Sequence, residues 1–155
     1  MGIQSGNRFD TVRRSELFIT PVILLIAALV RLLFSPSRGI WYDDAFSILL
    51  SQQNLNQIIS GTAADTMPPF YYFFLHYWMK LSSNIFFIRL LNIILSLVVV
   101  YIVFLFWKEI AGKLAGWVAA LLTALAAIQV YHAQEVRMYV LLELSLLIYA
   151  WMFWR

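Results

Sequence analysis

The chain has 155 residues, of which 63% are hydrophobic, 17% are aromatic and only 12% are charged, and its mean hydropathy is +0.80. This composition excludes an ordinary soluble domain and is typical of a chain that lies in a lipid bilayer. The net charge of +3 comes from Arg and Lys residues scattered singly among apolar runs, so we expect no nucleic-acid partner.

A membrane-spanning helix needs about 20 mostly apolar residues. Runs of this kind lie at residues 17–34, 85–107, 114–130 and 138–154. They predict an all-α integral membrane protein with about four transmembrane helices. Arg31 lies close to the end of the first run, where we expect its side chain to snorkel toward water.

The distribution of Arg and Lys predicts the orientation of these helices, because positive charge is enriched in cytoplasmic segments. A cytoplasmic amino terminus puts residues 35–84 in a long outer loop and residues 131–137 in a short outer loop beside it. We therefore predict a multi-pass protein of the plasma or inner membrane. The positive charges that this orientation leaves inside are Arg8, Arg13, Arg14, Lys108, Lys113 and Arg155.

Two parts of the long outer loop are apolar but too short to cross the membrane. Residues 46–59 mix apolar residues with Ser, Gln and Asn, which favours a helix lying in the interface. Residues 69–81 begin with a proline pair and predict a second juxtamembrane helix. The alternative is that residues 69–81 do cross, in which case residues 131–137 would lie on the other side of the membrane from Asp43.

Ionisable residues that share one membrane face indicate a functional site, because charge is expensive in hydrocarbon. Asp43 and Asp44 are adjacent carboxylates that point in different directions, so one can act as a base while the other binds a metal or a cation. The alternative is that Asp44 caps the following helix and both stabilise its amino-terminal end. The predicted cluster consists of Asp43, Asp44, Asp65, His132, Glu135 and Arg137.

The segment 131–139 combines His132, Glu135, Arg137 and Tyr139 at the start of the last helix. The planar guanidinium of an Arg residue suits a lipid phosphate. The alternative is a hydrogen-bonded network at the membrane boundary, without a ligand. Glu143 lies deeper and predicts a structural partner among Arg89, Asn92, Arg31 and Gln129. The spacing of Arg89 and Asn92 predicts contacts between helices.

At these residues the sequence resembles the amino-terminal part of multi-pass glycosyltransferases that take a sugar from a polyprenyl-phosphate carrier. That group has the GT-C fold and includes protein O-mannosyltransferases and lipid A aminoarabinose transferases. Four features carry the resemblance in order: Asp43-Asp44, Pro68-Pro69-Phe70-Tyr71-Tyr72, Ile88-Arg89-Leu90 and Gln134-Glu135-Val136-Arg137-Met138-Tyr139. The resemblance covers nearly all of the chain, which we expect to form a single membrane domain at residues 1–155 belonging to a longer enzyme.

The resemblance implies an inverting transfer of a hexose, a mannose-like sugar or an aminopentose at the outer membrane face. The acceptor would be a hydroxyl or phosphate of a protein or glycolipid. Asp43 would be the catalytic base or a carboxylate that orients the acceptor, and Asp44 its partner, while Arg137 and Tyr139 would lie near the donor phosphate. The remaining implied substrate-binding residues are Glu135, His132 and Tyr71.

Some members of the group are described with a divalent metal, which would make Asp44 a ligand. However, the family usually has Asp-Glu where this chain has Asp43-Asp44, and His where it has Met67, which removes a plausible ligand. A metal-dependent and a metal-independent reaction therefore both stay open. So do two other classes of function, a non-enzymatic carrier-lipid binding or transport subunit and a small helical assembly factor.

Overall fold

The computed structural model describes residues 4–35 and 38–155, with the side chains of residues 16–33, 35 and 38–155. All regular secondary structure in these residues is helical, without a strand, which confirms the predicted all-α class. The helices are α1 (Gln4–Phe34), α2 (Tyr42–Ser51), α3 (Leu55–Ala64), α4 (Phe70–Met79), α5 (Ile85–Leu125), α6 (Ala127–Gln134) and α7 (Tyr139–Trp154).

Two of the described helices are long and apolar enough to cross a membrane. They are Glu16–Leu33 within α1, with a mean hydropathy of 2.3, and α5, with a mean hydropathy of 2.7. Two of the four predicted runs thus belong to one element, and α7 is shorter, with 16 residues. The side chains of Arg8, Arg13 and Arg14, which contribute to the predicted orientation, lie outside the described residues.

A sharp reversal at Gly112 divides α5 into a first arm, residues 85–111, and a second arm, residues 113–125. Gly112 has φ 86° and ψ 176°, a conformation that an L-residue with a Cβ rarely adopts. On a continuous helix, residues 104 and 116 would be about 18 Å apart. Instead a Cβ placed on Gly116 would lie 2.8 Å from the carbonyl oxygen of Phe104, so the two arms run back to back.

Small residues make the close approach of these arms and of α1 possible. Gly116, Ala120 and Ala124 recur every four residues on one face of the second arm, and all three are buried. Such a pattern lets helix backbones pack closely in a membrane. Phe104 of the first arm stacks on Trp117 at 6.5 Å between ring centroids. The core formed here consists of Ile23, Ala27, Val100, Phe104, Ala120 and Ala124.

Replacing Gly116 with Ala should lower the free energy of unfolding by about 1–3 kcal/mol, the usual cost of overpacking. The added Cβ would meet backbone oxygen of Phe104 and backbone nitrogen of Lys108, which cannot rotate away as a side chain can. Reversible unfolding in mixed detergent micelles measures the loss. Gly39→Ala is the matched control, since a Cβ there meets no atom within 4 Å. Equal stability of the two variants would contradict the close packing of the arms.

Arg31 does not snorkel, which corrects the prediction from the sequence. Its side chain is fully buried, and its guanidinium donates to Ser96 Oγ at 2.8 Å and to the carbonyls of Ala27 and Ala124 at 3.0 Å. The carbonyl of Ala124 is available because the helix ends at Leu125, and the last carbonyls of a helix lack an intrahelical partner. Arg31 therefore joins α1 to both arms of α5.

The segment between α1 and α5 forms three short helices. The interfacial helix predicted at residues 46–59 is instead divided between α2 and α3. Asn54 begins α3 with a capping box, in which its side chain accepts from Gln57 N–H at 3.0 Å and the Gln57 side chain accepts from Asn54 N–H. The helix predicted at residues 69–81 is confirmed as α4. Its 10 residues reach only about 15 Å, which is half the hydrocarbon thickness.

The aromatic residues of α4 divide into a buried and an exposed face. Tyr71 and Tyr72 are buried, whereas Phe70, Phe74 and Tyr77 are exposed. α4 is attached to α5 where Trp78 Nε1 donates to the carbonyl of Phe87 at 2.8 Å. The core of this region consists of Ile58, Tyr71, Tyr72, Leu75, Ile88, Leu91 and Val136.

Charged residues gather at two opposite ends of the helices. At one end, Glu16 pairs with Lys108 at 2.8 Å and with Lys113. Glu109 pairs with Arg155 at 3.1 Å near the same turn of the hairpin. We call the opposite end, where α1 leads to α2 and α6 leads to α7, the polar end.

Candidate functional site

Asp44 is a buried structural residue at the polar end. One of its carboxylate oxygens accepts from Val136 N–H at 2.8 Å, and the other lies 3.4 Å from the Arg89 guanidinium. Its side chain is 2% exposed. The predicted capping of α2 by Asp44 is wrong, because Trp41 is the N-cap residue and makes no side-chain cap bond. Asp44 instead ties the start of α2 to α5 and to the loop before α7.

Arg89 holds the turn that follows α1. It donates to the carbonyls of Ser35 at 2.9 Å, Arg38 at 2.8 Å and Gly39 at 2.9 Å, besides its contact with Asp44. These four acceptors come from the turn and from α2, so one guanidinium positions both. The prediction that Arg89 joins helices is confirmed and extended, because it also sets the path of the chain that leads to Asp43.

Asp43 points away from its neighbour, as predicted for adjacent carboxylates. Its side chain is 59% exposed, and one oxygen lies 3.6 Å from Nη2 of Arg137, whose own side chain is only 8% exposed. The two predicted clusters therefore meet at the same end of the helices. This contact contradicts the alternative in which residues 69–81 cross the membrane and separate the clusters.

The loop at residues 135–138 is held in place by two buried side chains. Asn92 Nδ2 donates to the carbonyl of Arg137 at 2.8 Å and also to the carbonyl of Glu135. Asp44 accepts from Val136 N–H between them. Two buried side chains thus bind three successive residues of the loop, which leaves the Arg137 guanidinium directed at Asp43.

Glu135 and His132 belong to a neighbouring network. Glu135 accepts from Arg38 at 3.2 Å and lies 3.1 Å from His132 Nδ1. Arg38 also lies over the Tyr131 ring, 4.2 Å from its centroid. Glu135 and Arg137 do not pair with each other, because Glu135 pairs with Arg38 and Arg137 with Asp43. Arg38 was not among the site residues predicted from the sequence. Its position just after the first predicted span was the only indication that it could belong there.

Tyr139 and His132 line the mouth of a groove between α5, α6 and α7. Their rings lie 4.8 Å apart. The groove has a volume of about 530 Å³. Glu143 lies inside it and accepts from Gln129 Nε2 at 2.6 Å, which confirms the predicted structural pairing. The other lining residues are Val103, Leu142, Leu146 and Leu147.

Tyr71 lies apart from the groove, in the core beneath the loop. It is 2% exposed and lines a separate cavity of about 170 Å³ between α4 and α7. Burial raises the pKa of the Tyr71 phenol above its ordinary value, and burial likewise raises the pKa of Tyr72. Both phenols stay neutral at physiological pH.

The surroundings of Asp44 do not fit a metal ion. Both oxygens are already engaged, and a guanidinium at 3.4 Å would repel a cation. In the part of the chain that the structure describes, no group of three or more His, Cys, Asp or Glu residues is arranged to hold a metal. We therefore assign no step of the chemistry to a metal.

The arrangement at the polar end joins an exposed carboxylate to a largely buried guanidinium, close to a groove with polar and apolar lining residues. A carboxylate in this position can accept a proton from an incoming hydroxyl, and the guanidinium can bind a phosphate. No protein-family model, curated protein or solved structure matches the chain.

Proposed function

We propose that this chain is part of a membrane glycosyltransferase that moves a sugar from a polyprenyl-phosphate carrier to an acceptor hydroxyl or phosphate on a protein or glycolipid. The single observation that carries the proposal is the Asp43–Arg137 pair, in which an accessible carboxylate lies 3.6 Å from a shielded guanidinium. The pair brings a base and a phosphate-binding group to the same end of the helices, and a sugar bound between them would replace their direct contact.

The membrane setting is supported by the surface of the helices. Exposed large hydrophobic residues run along α1 and α7, a surface that water would not favour. We infer a multi-pass protein of the plasma or inner membrane with a cytoplasmic amino terminus and the polar end outside. Lys108, Lys113 and Arg155 at the other end agree with that orientation. Examples of the exposed residues are Leu17, Phe18, Leu25, Leu33, Leu146, Tyr149 and Phe153.

In the proposed reaction the acceptor hydroxyl approaches from the exposed side of Asp43. Asp43 takes the hydroxyl proton as the acceptor oxygen forms a bond to the anomeric carbon of the sugar. The bond between that carbon and the carrier phosphate breaks from the opposite face, which inverts the anomeric configuration. Arg137 binds the phosphate that leaves with the electron pair, and its planar, permanently charged fork suits that group.

The other residues of the polar end have supporting roles in this proposal. Asp44 is a positioning residue, because its buried carboxylate sets both α2 and the loop that carries Arg137. Tyr139 and His132 lie where a donor approaching Arg137 would pass, and the Glu135 network shapes that entrance. Tyr71 supports the loop from the core.

Replacing Arg137 with Gln should raise the KM for the lipid-linked donor about 10- to 100-fold, which is the range for a lost hydrogen bond to a charged group. The measurement is transfer of labelled sugar from polyprenyl-phosphate donors in membranes that contain the 155-residue chain or the chain extended from its genomic context. Arg155→Gln is the matched control, because Arg155 lies at the opposite end and pairs with Glu109.

Three outcomes distinguish the glycosyltransferase from the carrier-binding subunit and the helical assembly factor. Equal KM values for the two Arg variants would contradict the phosphate role of Arg137. Saturable binding of polyprenyl phosphate without transfer by any form of the chain would favour the carrier-binding subunit instead. Neither transfer nor binding would contradict both and leave the helical assembly factor.

A further inference from the structure

A carboxylate lies in the groove between α5, α6 and α7, farther along α7 than Tyr139 and outside the Asp43–Arg137 pair. Glu143 is the fourth residue after Tyr139 on α7, about 6 Å farther along the helix. The groove continues past it to Leu147, so its length along α7 is about 12 Å. Its far walls are apolar, as expected for a surface that hydrocarbon chains contact.

The charge of Glu143 has no hydrogen-bonded cation in the described residues. Its one hydrogen bond comes from the neutral amide of Gln129, at 2.6 Å. Arg31 is within electrostatic range, but its hydrogen bonds go to Ser96 and to two backbone carbonyls. A carboxylate in apolar surroundings usually faces a partner or a cavity, and here it faces the groove.

Gln129 holds Glu143 in place, but the side-chain oxygen of Gln129 itself has no hydrogen-bond partner. Its Oε1 atom is buried and makes no hydrogen bond, while its Nε2 donates to Glu143. Rotating the amide to relieve that oxygen would turn it against the carboxylate. A buried polar atom left without a partner calls for an explanation. The orientation of the amide is set by its hydrogen bond to Glu143, which fixes the carboxylate at the wall of the groove.

We propose that this groove binds an amphiphile with a primary ammonium head and a hydrocarbon tail. The ammonium carries a positive charge and only donors, so it complements a carboxylate whose remaining lone pairs are free. A phosphate head would be repelled by Glu143, and a hydroxyl head would leave the charge uncompensated. The tail would lie along Val103, Leu146 and Leu147, and a volume of about 530 Å³ is within the range of small-molecule sites.

Photo-crosslinking in lipid nanodiscs tests the proposal directly. The probes are a hexadecyl chain with a diazirine close to the head, carried as the amine, the alcohol and the phosphate. In the Arg137→Gln variant, which removes the proposed phosphate site, we expect the amine to label the peptide that contains residues 139–147 about tenfold or more above the phosphate, in the range of a charge-assisted hydrogen bond. Unlabelled hexadecylamine should compete, and hexadecanol should not.

Variants on the same helix separate the charge from the shape of the groove. Glu143→Gln should reduce amine labelling about tenfold, and Glu143→Asp, which keeps the charge, should restore most of it. Ser145→Ala is the matched control, since Ser145 bonds only to the carbonyl of Leu141 in its own helix. Unchanged labelling in Glu143→Gln would overturn the proposal, as would equal labelling by amine and phosphate. If Glu143→Gln fails to fold, absence of competition by hexadecylamine on the unaltered chain would overturn it instead.

Discussion

Replacing Asp43 with Asn should reduce sugar transfer about 10²- to 10⁴-fold, the usual contribution of a general base. An amide cannot take the proton of an acceptor hydroxyl at neutral pH. The substitution should leave folding intact, because the side chain is 59% exposed and the Asn amide oxygen can still accept from Arg137. Donor binding should persist or strengthen, since Arg137 loses its competing carboxylate. The measurement pairs the rate of transfer with equilibrium binding of the polyprenyl-phosphate donor.

Asp65→Asn is the matched control for this experiment. Asp65 is also an exposed carboxylate between α1 and α5. The sequence grouped it with Asp43, but the structure places it at the end of α3, where it pairs with no guanidinium among the described residues. It should retain full activity. Equal activity of Asp43→Asn and Asp65→Asn would rule out the base. Loss of donor binding together with transfer in Asp43→Asn would move Asp43 from catalysis to binding.

Replacing Arg89 with Met should lower the free energy of unfolding by about 3–5 kcal/mol, the range for breaking a buried ion pair. The change leaves the Asp44 carboxylate buried beside an apolar chain. It also leaves three carbonyls without the donor that Arg89 supplies in the unaltered protein, those of Ser35, Arg38 and Gly39. Reversible unfolding in mixed detergent micelles measures the effect.

The double variant Arg89→Met with Asp44→Leu tests the mechanism of this loss. If an uncompensated charge causes most of it, removing the carboxylate should recover part of the stability despite a second substitution. No recovery would mean that the stranded carbonyls dominate. Arg155→Met is the comparison at an exposed pair and should change stability little. A loss with Arg155→Met as large as that with Arg89→Met would contradict the structural role of Arg89.

The helices themselves were predictable because their signals are local. Long apolar runs indicated helices near residues 17–34, 85–107, 114–130 and 138–154, and the structure has helices α1, α5 and α7 over most of these residues. The proline pair marked the start of α4. The prediction of one helix at residues 46–59 missed the division between α2 and α3, although Asn54 and Gln57 have the sequence pattern of a capping box. The apolar residues on both sides of Asn54 concealed that break.

The grouping of polar residues at one end was also predictable, since a charge in hydrocarbon is expensive wherever it lies. What each side chain does there was not. Asp43 and Asp44 are adjacent and chemically alike, yet one is exposed and the other is 2% exposed in a buried pair. Arg31 looked like a snorkelling residue and is instead fully buried.

The sequence by itself determined the helical class, the apolar surface and the end at which the polar residues gather, because composition and periodicity act over a few turns of chain. Only the tertiary structure decided which carboxylate is buried, which guanidinium is directed at Asp43 and where Glu143 lies. The physical reason is distance along the chain. Asp44 meets Val136 across 92 residues and Arg89 across 45. Burial and partners at such separations depend on how the helices pack, which no local pattern encodes.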